Sequence, residues 1–161
     1  VSLNIKTFAQ AARLFAGMPD TTSQAQYSLP FAVANMLLYG TIAPEHISGE
    51  GLKNKVVAEL LPRIKVEEVE RHSSRFPMGR WSNVEVILKD GRSFHSEDVH
   101  ARGGPESPME DEEVEEKFHT MTSSALSKER SQAIWQMRNQ LLLPNTQLKE
   151  LSVLLYDKCD V

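Results

Sequence analysis

The chain changes the period of its hydrophobic positions as it runs. Val1, Leu3 and Ile5 alternate with polar neighbours, the pattern of a half-buried strand. Thr7 and Gln10 have capping-box spacing, which predicts a short helix ending near Gly17. The Pro19–Gly40 stretch then passes from a Thr/Ser/Gln-rich approach into Leu29–Tyr39, an apolar run in which Asn35 is the strongly polar exception. A helix apolar on nearly every side has to be buried on nearly every side, so this run is the predicted central helix. Ser28 is its cap, Pro30 fits only its first turn and Gly40 closes it. The helix is therefore expected to start at Leu29 and not at Thr22.

Beyond a loop punctuated by Pro44, Gly49 and Gly51, the positions Leu52, Val56, Val57, Leu60 and Leu61 recur at helical spacing until Pro62. A short strand follows over about Arg63–Val66. Trp81–Lys89 alternates again, Asp90-Gly91 is a two-residue hairpin turn, and Arg92 to about Val99 is the returning strand. The cluster Ala101-Arg102-Gly103-Gly104-Pro105 breaks the chain, and only helical periods follow. Ser107-Pro108-Met109-Glu110 reads as a helix start, with Val114, Phe118, Met121 and Ala125 as its buried stripe. A second helix carries Ile134, Trp135, Arg138 and Leu141 on one face, and a third carries Leu148, Leu151, Leu154 and Leu155. The predicted class is α+β: a small domain over 1–104, with a short antiparallel sheet packed on helices around the buried central helix, then C-terminal helices over 105–161. Those helices have stripes wider than they can cover for one another.

Composition narrows the classes of function. A net charge of −4 and a charged fraction of 25% argue against nucleic acid as the main partner. The one basic cluster, Arg71 to Arg80, is broken by Phe76, Pro77 and Gly79 and reads as a loop. No apolar run approaches the roughly 20 residues of a membrane span. The single cysteine, Cys159, excludes an internal disulfide framework and reads as an incidental thiol of a cytoplasmic protein. The opening VSLNIKT begins in mid-strand and is expected to continue from residues upstream, as in the C-terminal portion of a longer polypeptide.

Motifs for chemistry are sparse. His46, His72, His95, His100 and His119 are scattered and form no ligand spacing, so no metal is expected. The glycines match no phosphate-binding loop, and the acidic run Glu110–Glu116 reads as the solvated first turn of a helix. The remaining candidate is the start of the central helix, where backbone N–H groups could hold a carboxylate and Gln26, Tyr27 and Ser28 would add donors. The plainer alternative is that Ser28 caps its own helix and Tyr27 packs on the hairpin.

The run Ala25-Gln26-Tyr27-Ser28-Leu29-Pro30-Phe31-Ala32-Val33-Ala34, closing on Leu37-Leu38-Tyr39-Gly40, resembles the signature of the MmgE/PrpD family, which includes 2-methylcitrate dehydratase, cis-aconitate decarboxylase and iminodisuccinate epimerase. Arg63-Ile64-Lys65-Val66, Phe76-Pro77, Val84-Glu85-Val86, Asp90-Gly91, Gly104-Pro105, Pro108 and Glu113 to Phe118 agree in order and spacing, so the likeness covers Leu3 to Phe118. The resemblance implies a lyase or isomerase of the kind found in propionate metabolism. Such an enzyme moves protons next to the carboxylates of a small di- or tricarboxylic acid without metal or organic cofactor. It implies a missing N-terminal helical domain of the same polypeptide as the partner, with room for a homodimer, and an interdomain pocket. Catalytic residues are then expected upstream, and Tyr27, Ser28 and Phe31 become the substrate-binding candidates. Many relatives carry Tyr where Phe31 stands here, and Gly103-Gly104-Pro105 departs from a commoner Gly-Asp-Pro. A second reading, from a different class, is an autonomous α+β ligand- or protein-binding module whose helical stripes close on one another.

Overall fold

A computed structural model describes residues Val1–Tyr156, and Cys159 lies outside the described residues. The class is α+β, in two compact units, Val1–Pro108 and a second beginning at Met109.

The first unit is built on a mixed sheet. β1 (Ser2–Thr7) pairs in parallel with β2 (Ile64–Glu68) and antiparallel with β3 (Trp81–Ile87), which also pairs with β4 (Ser93–His95) and β5 (Val99–His100). The sheet is thus antiparallel except at β1–β2. That pair needs the long helical crossover between its strands, because parallel neighbours cannot be joined by a hairpin. Leu3, Ile5 and Thr7 alternate onto the buried face of β1.

The hairpin forms at Asp90-Gly91, but its loop is the three residues Lys89, Asp90 and Gly91 and not two, because Leu88 and Arg92 are the closing pair and Asp90 does not take the positive φ that a two-residue turn of this type needs. Gly91 has φ 88, Leu88 N–H donates to Arg92 O at 2.8 Å, and Asp90 Oδ1 accepts from Arg92 N at 3.1 Å. The returning strand is broken in two, however. The Ser96 hydroxyl takes the N–H of Val84 at 2.9 Å, replacing a ladder partner and letting the chain leave the sheet before β5.

The crossover carries α1 (Ala9–Ala12), α2 (Thr22–Gln26), α3 (Leu29–Tyr39) and α4 (Lys55–Leu60). The expected first helix shrinks to the single turn of α1, since the Thr7 hydroxyl bonds Ser82 Oγ at 2.8 Å and caps nothing. α2 was not expected from the apolar pattern. Its signal is polar: Thr21 Oγ1 accepts from Gln24 N at 3.2 Å, and Gln24 Oε1 accepts from Asp20 N at 2.8 Å. The predicted helix over Leu52–Leu61 begins instead at Lys55, because Asn54 Oδ1 accepts from both Val56 N and Val57 N.

α3 starts at Leu29 and ends against Gly40, whose φ of 72 suits the left-handed closing residue. Its buried residues are Pro30, Phe31, Ala34 and Asn35. Phe31, Ala34, Ala25 and Val57, with Leu61, form the core, against which Met18, Ile47 and Ile64 pack. Asn35 is satisfied by donating from Nδ2 to Phe31 O at 2.9 Å. Burial on nearly every side holds for the first half of α3 only. Met36, Leu37, Leu38 and Tyr39 are exposed.

Short α5 (Glu70–Ser73) is fastened to the end of β1. Val69 N donates to Thr7 O at 2.9 Å, and the Ser73 hydroxyl accepts from Ala9 N at 3.0 Å.

The second unit contains α6 (Asp111–Thr122), α7 (Lys128–Gln140) and α8 (Leu148–Tyr156). α6 does not start at Ser107. The backbone of Ser107 is engaged in a turn, its N–H donating to Gly104 O at 3.1 Å while its carbonyl accepts from Gly103 N at 2.7 Å. Glu110 caps the helix instead, in a reciprocal box with Glu113. Phe118 packs on Trp135 with ring centroids 5.3 Å apart, and Arg138 lies 3.9 Å over the Trp135 ring. Arg130 Nε donates to Leu154 O at 2.8 Å, tying α8 to α7. The stripe expected to be buried on α6 is open at Val114 and Met121, as are Leu142, Leu148, Val153 and Leu155 further on.

Candidate functional site

A cleft of about 280 Å³ opens at the start of α3. Phe8, Ala11 and Leu14 form one apolar side and Leu29 and Ala32 another. Its polar lining is Gln26, Tyr27, Ser28, Arg80 and Ser82. The α2–α3 corner brings Gln26, Tyr27 and Ser28 together. Tyr27 N–H closes α2 on Ser23 O and Gln24 O at 3.3 and 3.2 Å, and Ser28 N–H donates to Ala25 O at 3.3 Å. β3 supplies Ser82, and Arg80 stands just before the strand, two residues away and so on the same side as Ser82 if the alternation is continued.

Three of the four residues singled out at this corner thus line one cleft. Tyr27 is 63% exposed and does not pack down as a core side chain. Ser28 is buried, and its Oγ accepts from Phe31 N at 3.3 Å, so it caps its own helix while its hydroxyl proton stays available. Phe31 stands apart, wholly buried in the core beneath the corner.

The backbone of α3 offers an anion little. Pro30 has no N–H, that of Phe31 is taken by Ser28, and that of Ala32 closes the first turn on Ser28 O at 3.0 Å. Recognition in the cleft falls to side chains. Arg80 was not singled out from the sequence, where it closes a basic loop cluster. The signal that could have found it is alternation: Arg80 continues the series Val86, Val84, Ser82.

Two larger cavities are less suited to a free anion. One of about 540 Å³ is lined by Arg75, Phe76, Met78, Trp81 and His100 among others. Its cation is committed, since Arg75 Nη1 bonds Asp98 Oδ2 at 3.3 Å and its guanidinium lies 4.9 Å from the Trp81 ring centre. The other, about 470 Å³ and within the second unit, contains His119 and Ser131. His119 Nδ1 lies 2.7 Å from Ser131 Oγ, and Ser131 Oγ lies 2.9 Å from Thr122 Oγ1. Thr122 donates to Phe118 O at 2.9 Å, so it accepts from Ser131, and Ser131 in turn accepts from His119. That direction of donation leaves Ser131 structural and not activated as a nucleophile.

The remaining histidines are held locally. His72 is wholly buried with Nε2 3.0 Å from Asn83 Oδ1. His46 stacks on Tyr39 with centroids 4.1 Å apart and accepts from Ala43 N. Among the described residues no group of three His, Cys, Asp or Glu side chains is placed to hold a metal ion, and no helix is long and apolar enough to cross a membrane. On β2, Lys65 bonds Glu67 and holds its carboxyl below the usual carboxylate range.

Fold and cleft define an α+β domain with a small, apolar-walled recess edged by hydroxyl, amide and guanidinium donors. The MmgE/PrpD C-terminal domain matches residues 1–143, and the chain belongs to that family. It is 24% identical to mouse cis-aconitate decarboxylase over 111 residues, covering 69% of this chain and 22% of that protein. It is 28% identical to the human cis-aconitate decarboxylase over 109 residues, covering 68% of this chain and 22% of that protein. The chain therefore spans about a fifth of the length of these curated relatives.

Proposed function

We propose that this chain forms one wall of the carboxylate pocket of an MmgE/PrpD-type lyase or isomerase. The substrate is a small di- or tricarboxylic acid. The groups that transfer the proton lie in a helical portion of the same polypeptide outside these residues. The observation that carries the reading is the cleft at the α2–α3 corner, where the stretch that bears the family signature places Gln26, Tyr27 and Ser28 around one recess.

Removing a proton beside a carboxylate drives negative charge onto the carboxylate oxygens, so donors aimed at those oxygens lower the barrier. Tyr27 and Gln26 supply such donors without being needed for the fold, because both are exposed. Phe31 acts from below, by seating α3 on Val57 and Leu61.

The exposed apolar side chains favour the reading of a part over that of an autonomous module. Leu142 is 84% and Leu148 70% exposed, and Met36 to Tyr39 leave a further apolar surface on α3. Large apolar side chains left this exposed in each unit are what an interaction face provides.

The test is turnover. The full polypeptide is assayed on a panel of di- and tricarboxylates that includes cis-aconitate, beside this chain alone and Tyr27→Phe in the full polypeptide. Turnover is expected from the full polypeptide and not from the chain alone. Tyr27→Phe is expected to lower kcat/KM by about tenfold, the loss of one hydrogen bond to a charged group. Turnover by the isolated chain, or none of the panel being consumed by the full polypeptide, would contradict the proposal.

A further inference from the structure

The buried face of the sheet ends in a cation. Register pairs Leu3 with Val86 and Ile5 with Val84, and the next pair on that face, Thr7 and Ser82, is joined by a hydroxyl–hydroxyl bond of 2.8 Å. Arg80, the residue immediately before β3, continues that alternation. Its backbone is fixed, since Ala101 N–H donates to Arg80 O at 2.9 Å and so prolongs the β3–β5 pairing. The side chain is exposed and lines the cleft, where it is the charged member of the lining. Among the described residues its guanidinium has no ion-pair partner. Neighbouring arginines differ, because Arg71 and Arg75 are bound to Asp98 at 2.9 and 3.3 Å.

Resting on the cleft reading above, we propose that Arg80 is the specificity-determining residue of the cleft. The ligand class it selects is a small aliphatic acid with at least one ionised carboxylate. The guanidinium takes the carboxylate in the bidentate geometry that matches its planar fork. The short hydrocarbon part lies along Phe8, Leu14 and Leu29. This side chain is the charged donor of the lining, and the start of α3 adds little beside it, since Pro30 has no N–H and those of Phe31 and Ala32 are already bonded, leaving that of Leu29. A cleft with one unpaired cation and no acidic lining residue discriminates by charge and tolerates variation in the aliphatic portion.

The experiment is an NMR titration of the full 161-residue chain with glutarate and with its neutral isostere glutaramide, reading the backbone amides of Gln26, Tyr27, Ser28 and Ala101. Wild type, Arg80→Ala and Arg80→Lys are compared. Glutarate is expected to move these amides saturably and glutaramide to bind about tenfold more weakly, as the loss of charge-assisted bonds requires. Arg80→Ala should weaken glutarate binding by about the same factor and erase the preference, with Arg80→Lys between the two. Arg80→Lys keeps the charge and controls for a folding defect. Unchanged glutarate affinity in Arg80→Ala, with the same amides shifting, overturns the role of Arg80 and leaves the cleft reading standing. No movement of those amides in the wild type overturns the proposal that Arg80 and this cleft take the carboxylate, and leaves the role of the full polypeptide to the turnover assay.

Discussion

Phe31→Ala is expected to destabilise the first unit by about 3–5 kcal/mol, the range for truncating a fully buried aromatic side chain. Phe31 has no exposed surface, and the core residues Ala25, Ala34, Val57 and Leu61 surround it. Two of these neighbours are already alanines, with no longer side chain to swing into the void, so the cavity would stay open and the cost would sit toward the upper end. Phe31→Tyr is expected to cost less, about 1–3 kcal/mol, because a hydroxyl added to a residue without solvent contact needs a partner. Urea denaturation followed by circular dichroism measures both. A loss below about 1 kcal/mol for the alanine variant would mean that Phe31 is not the centre of this core.

Gly51→Ala is the second large effect, and its cause is steric. A Cβ built on Gly51 would stand 2.1 Å from Glu45 O and 2.7 Å from the carbonyl carbon and oxygen of His46. Those atoms are backbone, in the turn Pro44–His46 that leads out of α3, so no side-chain rotation relieves the contact. His46 is moreover held by its stack on Tyr39 and its bond from Ala43 N. The turn would have to open, at about 3 kcal/mol, the upper part of the range for overpacking. Equal denaturation midpoints for Gly51→Ala and wild type would show that the loop moves freely and does not define the approach to α4.

Much of the first unit follows from pattern. Ser28, Pro30 and Gly40 mark α3 because each satisfies a different requirement of a helix end. Asp90-Gly91 marks the hairpin because the turn needs the positive φ that Gly91 adopts. The elements that pattern misses are those in which a side chain takes over a backbone partner. Ser96 breaks the returning strand, Thr7 bonds across the sheet to Ser82, and Asn54 starts α4. Ser96 and Thr7 depend on a neighbour distant in sequence, and Asn54 caps the two N–H groups that follow it and so sets the helix start within a longer apolar pattern. The parallel β1–β2 pair is likewise unreadable from alternation, which has the same period in either orientation.

The cleft was legible in part, and for a related reason. Gln26, Tyr27 and Ser28 are consecutive, so a helix start is enough to bring them together. Arg80 reaches them only through the pairing of β1 with β3, which joins residues more than seventy positions apart, as the Thr7–Ser82 bond does at a separation of 75. The anion-binding backbone expected at the start of α3 is diminished by the very features that define that start, since the Ser28 cap and Pro30 remove two of its N–H groups. The apolar surfaces on α3, α6 and α8 carry the opposite lesson. Their sequences read as buried, and here their side chains are exposed at Met36 to Tyr39, Val114, Met121, Leu148, Val153 and Leu155.

The most direct measurement is a crystal structure of the full polypeptide with tricarballylate, an unreactive tricarboxylate, bound. A carboxylate oxygen is expected within about 3.2 Å of Tyr27 Oη or of the Arg80 guanidinium, with the opposite side of the ligand facing residues outside this chain. Tricarballylate bound with no contact to Gln26, Tyr27, Ser28 or Arg80 would contradict the proposed role of the cleft.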